Sequence, residues 1–282
     1  MQLYTLKSQV EISIEKAINF KKTIGLVPTM GSLHDGHLSL LKKAVRSCDV
    51  VWVTIFVNPT QFNNKQDLNN YPKNIKKDLK MISKISKKIN VFSPEISEMY
   101  ESKLETEDFD FQNLDNELEG KYRNNHFKGV GTIVNKLFNL FKPNKAFFGE
   151  KDFQQTRIID ILIKIKKFQT ELIICPTIRE KNGLALSSRN GLLSSENKKK
   201  AAIIYKTLIY CKENISEFSF QKIYDNCKKE INSLSDFKLE YLEIVNNESL
   251  KKEKKFNLNK SYRIFICVLV KGVRLIDNIL VK

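Results

Sequence analysis

Arginine is scarce in a chain that is otherwise strongly basic. Of 282 residues, 41 are lysine and only seven are arginine, and the formal net charge is +16. Nucleic-acid-binding proteins rely on arginine for two-pronged contacts with phosphates and base edges, so this balance argues against that class of function. The positive charge would still attract a small polyanionic ligand.

Paired cysteines and long apolar runs are also missing. The five cysteines lie at positions 48, 175, 211, 227 and 267, with no CxxC pattern and no Cys/His cluster at the spacing of a metal site. They predict free thiols in a reducing compartment. No apolar run approaches the length of a membrane span. The first twenty residues alternate polar and apolar and carry Glu11 and Glu15, unlike a signal or transit peptide. We therefore expect a cytoplasmic protein without a membrane partner.

Strands and helices alternate over the first two thirds of the chain. Apolar runs predict strands at 24–29, 50–57, 89–92, 145–148 and 171–175, and helical spacing predicts helices at 37–46, 73–88, 126–141 and 152–167. This order is typical of an α/β fold with a Rossmann-like, doubly wound parallel sheet. Two helices at 198–211 and 220–234 and strands at 239–245, 263–270 and 273–281 follow, the last two joined by a hairpin at Lys271 and Gly272. We predict a first domain over 1–176 and a small α+β lid domain over 177–282.

The segment MGSLHDGH, residues 30–37, carries the strongest chemical signal. It follows a predicted strand and opens a helix, and it contains two of the three histidines of the chain, His34 and His37. A helix N-terminus with unpaired N–H groups favours an anion, and two imidazoles there can donate hydrogen bonds to phosphate oxygens. Gly31 and Gly36 allow close approach of the backbone to a ligand. Zinc is a weaker alternative because a third ligand is missing, and no GxxxxGK[ST] phosphate loop occurs.

Three further segments place polar residues at predicted strand ends or in loops. FGEKDFQQ at 148–155 follows a strand, where ligands of open parallel sheets bind, and it offers Lys151 for phosphate and Asp152 for ribose or for orienting the lysine. LALSSRN at 184–190 sets two hydroxyls beside an arginine, a combination suited to phosphate but also common in loops. FVNPTQF at 56–62 places Gln61, an amide that can both donate and accept, after a strand.

These segments, in this order and spacing, resemble the pantothenate synthetase family of the HxGH nucleotidyltransferase superfamily. The similarity also includes HFKGVGTIVNKLFN at 126–139 and REKNGLALSSRN at 179–190. The resemblance implies ATP-dependent joining of (R)-pantoate to β-alanine through pantoyl adenylate, with Mg²⁺, release of AMP and pyrophosphate, and a homodimeric assembly.

The resemblance also assigns roles to residues. It implies catalytic roles for His34, His37, Lys151 and Arg189, and pantoate binding by Gln61 and Gln155, with Gln61 near the β-alanine position. The usual proton-donor role of His37 is interpreted here as hydrogen-bond stabilisation of the transition state, since a carboxylate needs no base to attack phosphorus. The resemblance further implies a larger set of ATP-binding residues, with Ile178 at the adenine: Met30, Gly31, Ser32, Leu33, His34, Asp35, Gly36, His37, Gly149, Glu150, Lys151, Asp152, Ile178, Leu186, Ser187, Ser188 and Arg189.

The chain departs from the family pattern at three places. Asn182 stands where aspartate is usual, Leu186 where methionine is usual, and Lys77 where an acidic residue is common beside Asp78, in a region linked to Mg²⁺. The metal ligands are therefore left unassigned, and Mg²⁺ is expected to arrive with ATP. Two alternatives stay open from the residues alone: another HxGH nucleotidyltransferase that uses CTP or ATP, and an RNA-binding protein that exploits the net charge.

Overall fold

The computed structural model describes residues 1–100, 103–252, 257 and 259–281. Its strands are β1 Gln2–Tyr4, β2 Ile24–Thr29, β3 Val50–Ile55, β4 Asn90–Phe92, β5 Lys145–Gly149, β6 Glu171–Cys175, β7 Phe237–Asn246, β8 Tyr262–Val270 and β9 Val273–Leu280. Its α-helices are α1 Lys7–Asn19, α2 Asp35–Ser47, α3 Lys65–Asn69, α4 Ile75–Ser83, α5 Ile96–Met99, α6 Glu119–Tyr122, α7 His126–Phe141, α8 Phe153–Lys166, α9 Ser195–Lys200, α10 Ile203–Asn214 and α11 Phe220–Asn232. Short 3₁₀ helices occupy Pro59–Gln61, Leu114–Asn116, Glu150–Asp152 and Ser188–Leu192.

The contacts of the chain divide it into two units. The first comprises Met1–Glu150 and Gln155–Pro176, and the second comprises Lys151–Gln154 and Thr177–Lys282. Residues 151–154 were predicted to belong to the first domain, whereas their contacts belong with the C-terminal part of the chain. The reason is that the Lys151 carbonyl accepts from Asn278 of β9 and the Phe153 ring packs against Arg263 of β8. A lid function for the second unit stays a prediction.

The first unit is built on the predicted parallel sheet. Its six strands follow the order β1-β4-β3-β2-β5-β6, and neighbouring strands pair in parallel. The strand order changes direction between β2 and β5, where open α/β sheets bind ligands at the carboxyl ends of the strands. The central strands are apolar on both faces because helices cover them, with Val27, Val53 and Phe147 in one buried cluster with Leu41 of α2.

The second unit is an antiparallel sheet with helices packed on it. β7, β8 and β9 pair in sequence order. The predicted hairpin between β8 and β9 is confirmed, with Lys271 and Gly272 both at positive φ, as a tight two-residue turn requires. Ile204 and Leu208 of α10 and Ile223 of α11 pack in one core with the sheet residues Ile264 and Ile266.

Most predicted elements are present, with shifted ends. Several differences are substantive: β1, α1 and the short helices α3, α5 and α6 were not predicted, the helix predicted over 73–88 spans only Ile75–Ser83, and the helix predicted over 198–211 is divided into α9 and α10. β1 pairs at the sheet edge through only three residues, too few for a clear periodic signal. Among the described residues, no helix is long and apolar enough to cross a lipid bilayer.

Candidate functional site

The loop between β2 and α2 is held by a buried carboxylate from α4. The Asp78 oxygens accept hydrogen bonds from the backbone N–H of Ser32 at 2.9 Å and of Leu33 at 2.8 Å. Asp78 is 1% exposed, and this burial raises the pKa of its carboxyl, while the two N–H donors act in the opposite direction. Asp78 therefore fixes the loop from a distance of 46 residues in sequence.

The same loop turns through two consecutive residues at positive φ. Gly31 has φ +79° and Ser32 has φ +51°. A Cβ at Gly31 would lie 3.0 Å from Cγ2 of Ile55 and 3.1 Å from Oδ2 of Asp78, so both conformation and space favour glycine. The N–H of Gly31 donates to the hydroxyl of Thr29 at 3.1 Å. The loop conformation is thus determined by its own hydrogen bond to Thr29 together with the packing of Ile55 and Asp78 against it.

The two histidines cap the start of α2 reciprocally. Nδ1 of His34 accepts from the N–H of Gly36 at 3.2 Å, and Nδ1 of His37 accepts from the N–H of His34 at 3.3 Å. Their ring centroids lie 4.1 Å apart. An Nδ1 that accepts carries no proton, so this bonding assigns the Nε2–H tautomer to both neutral rings. Both side chains are half-buried.

This geometry modifies the expectation that unpaired backbone N–H groups bind the anion here. The N–H groups of Ser32, Leu33 and Gly36 have partners within the protein. We therefore expect donation from imidazole Nε2–H, reinforced by the positive end of the α2 dipole, to contribute to anion binding at this helix start.

Gln61 belongs to a buried polar cluster at the carboxyl end of β3. Its Oε1 accepts from Nδ2 of Asn58 at 3.2 Å, and its Nε2 lies 3.1 Å from the sulfur of Met30. Asn58 Nδ2 also donates to the carbonyl of Gly129 at 3.1 Å, and Asn58 Oδ1 accepts from the hydroxyl of Tyr100 at 2.7 Å. The pKa of Tyr100 is raised, mainly by burial. The cluster fixes the orientation of the Gln61 amide.

The backbone of Gln61 is held by the start of α7. Nδ1 of His126 lies 2.8 Å from the Gln61 carbonyl oxygen, and Nε2 of His126 lies 3.0 Å from a guanidinium nitrogen of Arg123. Gly129 allows the helix to approach, because a Cβ there would lie 2.4 Å from the Thr60 carbonyl oxygen. Sequence reasoning missed Asn58, Tyr100 and His126 as parts of this cluster. The only usable signal was that His126 is the third of three histidines and begins a helix.

In the second unit, the Lys151 ammonium donates to its neighbour. Nζ of Lys151 lies 3.1 Å from Oδ1 of Asp152, within the short 3₁₀ helix Glu150–Asp152. The Lys151 side chain is 18% exposed and that of Asp152 is 44% exposed. The contact joins the two side chains, and both suggested roles of Asp152, orienting the lysine and accepting from ribose, stay predictions. Two further predicted site residues, Gly149 and Gln155, flank this segment and belong to the first unit. A Cβ at Gly149, the last residue of β5, would meet nothing within 4 Å, and Gln155 lies half-buried in the first turn of α8.

Residues 178–190 form a narrow antiparallel turn and a capped 3₁₀ helix. The N–H of Leu186 donates to the carbonyl of Ile178 at 2.9 Å. The Ser187 hydroxyl accepts from the N–H of Arg189 at 3.2 Å, so it caps the helix Ser188–Leu192 and retains its own O–H for donation. Oδ1 of Asn182 accepts from the N–H of Leu184 at 3.1 Å, a bond that an aspartate oxygen can also accept.

The predicted site residues thus form local groups. The described contacts join Met30 with Gln61, His34 with His37, Lys151 with Asp152, and Ile178 with Leu186. In the part of the chain that the structure describes, no group of three or more His, Cys, Asp and Glu side chains is arranged to hold a metal ion.

Comparison with known proteins agrees along the whole chain. Residues 2–280 match the family model of pantoate-beta-alanine ligase. The chain is 46% identical over 279 residues to the pantothenate synthetase of Christiangramia forsetii, with 99% of each chain covered. It is 43% identical over 282 residues to that of Flavobacterium psychrophilum, with 100% of each covered.

Solved structures agree with this similarity. The crystal structure of pantothenate synthetase from Thermus thermophilus matches with a TM-score of 0.90 and 33% identity, over 100% of this chain and 99% of that one. The pantoate-beta-alanine ligase of Francisella tularensis, complexed with beta-gamma ATP and beta-alanine, matches with a TM-score of 0.83 and 36% identity, over 100% and 98% of the two chains.

Proposed function

The chain belongs to the pantoate-beta-alanine ligase family, and from that premise we propose how its residues carry out the reaction. The reaction is the ATP-dependent condensation of (R)-pantoate with β-alanine, with release of AMP and pyrophosphate. In the first step a pantoate carboxylate oxygen attacks the α-phosphorus of ATP. A new P–O bond forms, the bond to the bridging oxygen of pyrophosphate breaks, and pyrophosphate leaves. In the second step the β-alanine amine attacks the acyl carbon, nitrogen loses a proton, and AMP leaves with the electrons of the C–O bond.

The observation that carries the proposal is the reciprocal bonding of His34 and His37. Because each Nδ1 accepts a backbone N–H, each Nε2 carries the proton and can donate to a phosphate oxygen. Two oriented donors need no reorganisation when negative charge grows on the departing pyrophosphate. Asp78 also holds the loop that precedes His34, so the backbone that carries the two rings has a fixed conformation. We assign them to transition-state stabilisation.

We propose that Gln61 binds pantoate together with Gln155. The Gln61 amide is oriented by Asn58, whose own amide is oriented by Gly129 and Tyr100. An amide held in this way offers a specific donor and acceptor to a hydroxy acid, which discriminates against an analogue that lacks the hydroxyl. We also propose that β-alanine, the second acid substrate, binds near Gln61.

The remaining ATP contacts are proposed for the first and second units separately. In the second unit, Lys151 would neutralise phosphate charge, Asp152 would orient the lysine or accept from ribose, and Ile178 would contact adenine. Residues 186–189 would bind phosphate through their hydroxyl and guanidinium donors, which suit phosphate oxygens. In the first unit the contacts come from Met30, Gly31, Ser32, Leu33, Asp35, Gly36, Gly149 and Glu150.

Mg²⁺ is proposed to enter as a complex with ATP. We assign no metal role to Asp78, whose two oxygens each accept a backbone N–H and hold the loop before α2. Mg²⁺ commonly binds substrate phosphates and retains water, with few protein ligands. A cytoplasmic location is proposed because ATP is the substrate, and a homodimer is proposed from the family resemblance. Light scattering on purified protein tests the dimer.

The assignment is tested by measuring the two half-reactions separately. Pantoate-dependent exchange of labelled pyrophosphate into ATP reports the first step, and AMP release with β-alanine reports both. We expect exchange to need pantoate but not β-alanine, and net AMP release to need both acids. Exchange without pantoate, or AMP release without β-alanine, would contradict the adenylate route.

A further inference from the structure

Two adjacent residues of β9 contact two separate segments of the second unit. Asp277 and Asn278 are each 3% exposed. Asp277 contacts Arg179, 98 residues away in sequence, and Asn278 contacts Lys151, 127 residues away. Both partner segments contain residues proposed to bind ATP. The arrangement therefore joins these segments to one strand.

The first contact is a two-pronged ion pair. The two Asp277 oxygens lie 2.5 Å from Nη1 and 3.0 Å from Nη2 of Arg179. Burial raises the pKa of the Asp277 carboxyl, and the Arg179 guanidinium opposes that rise. Nη1 of Arg179 also donates to the Gly183 carbonyl at 3.1 Å, and the guanidinium carbon lies 4.0 Å from the centroid of the Tyr205 ring. Arg179 thereby holds both strands of the narrow turn that leads into residues 186–189.

The second contact is an amide that bridges a guanidinium and a main-chain carbonyl. Nδ2 of Asn278 donates to the Lys151 carbonyl oxygen at 2.8 Å, and Oδ1 accepts from Nη1 of Arg263 at 2.5 Å. Arg263 donates from Nε to Oδ1 of Asn247 at 2.9 Å and stacks 3.7 Å from the centroid of the Phe153 ring. Guanidinium only donates and a carbonyl only accepts, so the orientation of the Asn278 amide is unambiguous. Asn278 thus holds the Lys151 carbonyl, and the ring of Phe153, two residues further along the chain, packs against the same Arg263.

A network of this kind is costly if its only role is stability. Arg263, Asp277 and Asn278 are buried here, and only 18% of the Arg179 side chain is exposed. Apolar residues of similar volume often stabilise a fold as well as a buried ion pair does. A fully satisfied polar network instead selects one geometry. What this network selects is the backbone position of Lys151 and the conformation of the turn before residues 186–189.

We propose that Asp277 and Asn278 are positioning residues for ATP: through Arg179 and Arg263 they hold Lys151 and residues 186–189 in one common frame on β9. This inference rests on the proposed ATP contacts of Lys151 and Arg189. The positioning residues do not touch the nucleotide themselves. Substitution of Asp277 or Asn278 is therefore expected to weaken ATP binding, and to do so only through the side chains of Lys151 and Arg189.

The sharpest variant is Asn278→Asp. The carboxylate still accepts from Arg263 but has no N–H to donate to the Lys151 carbonyl. We expect about a tenfold or greater rise in KM for ATP with little change in KM for β-alanine. Asn247→Asp is the matched control, because it makes the same substitution at the other amide partner of Arg263 and leaves the Asn278 bond to Lys151 in place. Asn278→Ala is the second variant, should the added charge prevent folding.

A double-mutant cycle separates positioning from a general structural role. In a Lys151→Ala background, Asn278→Asp should cost much less in kcat/KM for ATP than it costs in the wild type, because its effect passes through Lys151. Asp277→Asn, which removes one anionic partner of Arg179, should behave in the same way in an Arg189→Ala background. Equal fold-losses in both backgrounds, or a Tm loss without a selective effect on KM for ATP, would overturn the inference. If Lys151→Ala and Arg189→Ala alone leave KM for ATP and kcat unchanged, the proposed ATP contacts fail instead.

Discussion

The N–H of His34 donates to Nδ1 of His37 across a single turn, at 3.3 Å, while the rings stand 4.1 Å apart. The second imidazole therefore has two separable functions, a local acceptor at Nδ1 and a proton-bearing donor at Nε2. Substitution can remove one and leave the other.

His37→Asn separates these functions, because the asparagine oxygen can replace Nδ1 as the acceptor while the distal donor is lost. We expect pantoate-dependent pyrophosphate exchange to fall by about 10²–10³-fold, the usual effect of removing one oriented donor to a transition-state charge. Thermal unfolding should change little. Ser39→Ala is the control, since its hydroxyl bonds the Gly36 carbonyl in the same helical turn. Exchange near the wild-type rate in His37→Asn would refute the assignment.

Gln61→Glu tests the pantoate assignment. The new carboxylate keeps an acceptor for Asn58, loses the Nε2 donor, and repels the carboxylate of the substrate. We expect KM for pantoate to rise by at least about tenfold, since a buried group left unpaired costs about 1–3 kcal/mol, with KM for ATP nearly unchanged. Gln66→Glu adds the same charge at an exposed position of α3 and controls for net charge. Steady-state kinetics with each substrate varied in turn measures the difference, and a rise confined to ATP would contradict the role.

Gly129→Ala tests the approach of α7 to the Gln61 cluster. The added methyl would lie 2.4 Å from the Thr60 carbonyl oxygen and 2.6 Å from the Gln61 nitrogen, both backbone atoms. We expect a loss of about 1–3 kcal/mol in the free energy of unfolding from overpacking, with weaker binding of pantoate. Gly191→Ala, where a Cβ meets nothing within 4 Å, should be near neutral in the same denaturant titration. Equal stability of the two variants would show that the helix adjusts freely.

Asp49 provides a pH prediction for the first unit. Its Oδ2 accepts from the hydroxyl of Thr23 at 2.7 Å and from the Thr23 N–H at 2.9 Å, and these bonds lower the pKa of Asp49. A carboxyl with a lowered folded-state pKa stabilises the protein above its unfolded pKa, and this stability is lost as pH falls through the folded-state value. Asp49→Asn should therefore lower Tm at neutral pH, and the difference from wild type should shrink below about pH 4. A pH-independent difference would exclude this origin.

Sequence patterns predicted those parts of the site whose residues lie close together in the chain. The strand–loop–helix order around His34 and His37 and the bounds of α7 and β6 follow from apolar periodicity and from residues that cap helices or break strands. Asp78 as the partner of Ser32, His126 as the partner of Gln61, and Asn278 as the partner of Lys151 were not predicted. These pairs are 46, 65 and 127 residues apart, and only the packing of the sheets brings them together. α1 was missed because its apolar positions are weakly segregated, with Ile12 and Ile18 exposed.

The assignment of Lys151–Gln154 to the second unit has a practical consequence for dissecting the protein. A fragment cut after Pro176 would contain the whole GEKDFQQ sequence and yet lack Asn278 and Arg263, the groups that shape its backbone. The same holds for chimaeras and insertions that are designed from the linear order of motifs. They would separate residues 151–154 from the side chains that contact them, although the sequence of the motif stays unchanged. An inactive fragment of this kind would therefore say nothing about the chemistry of Lys151.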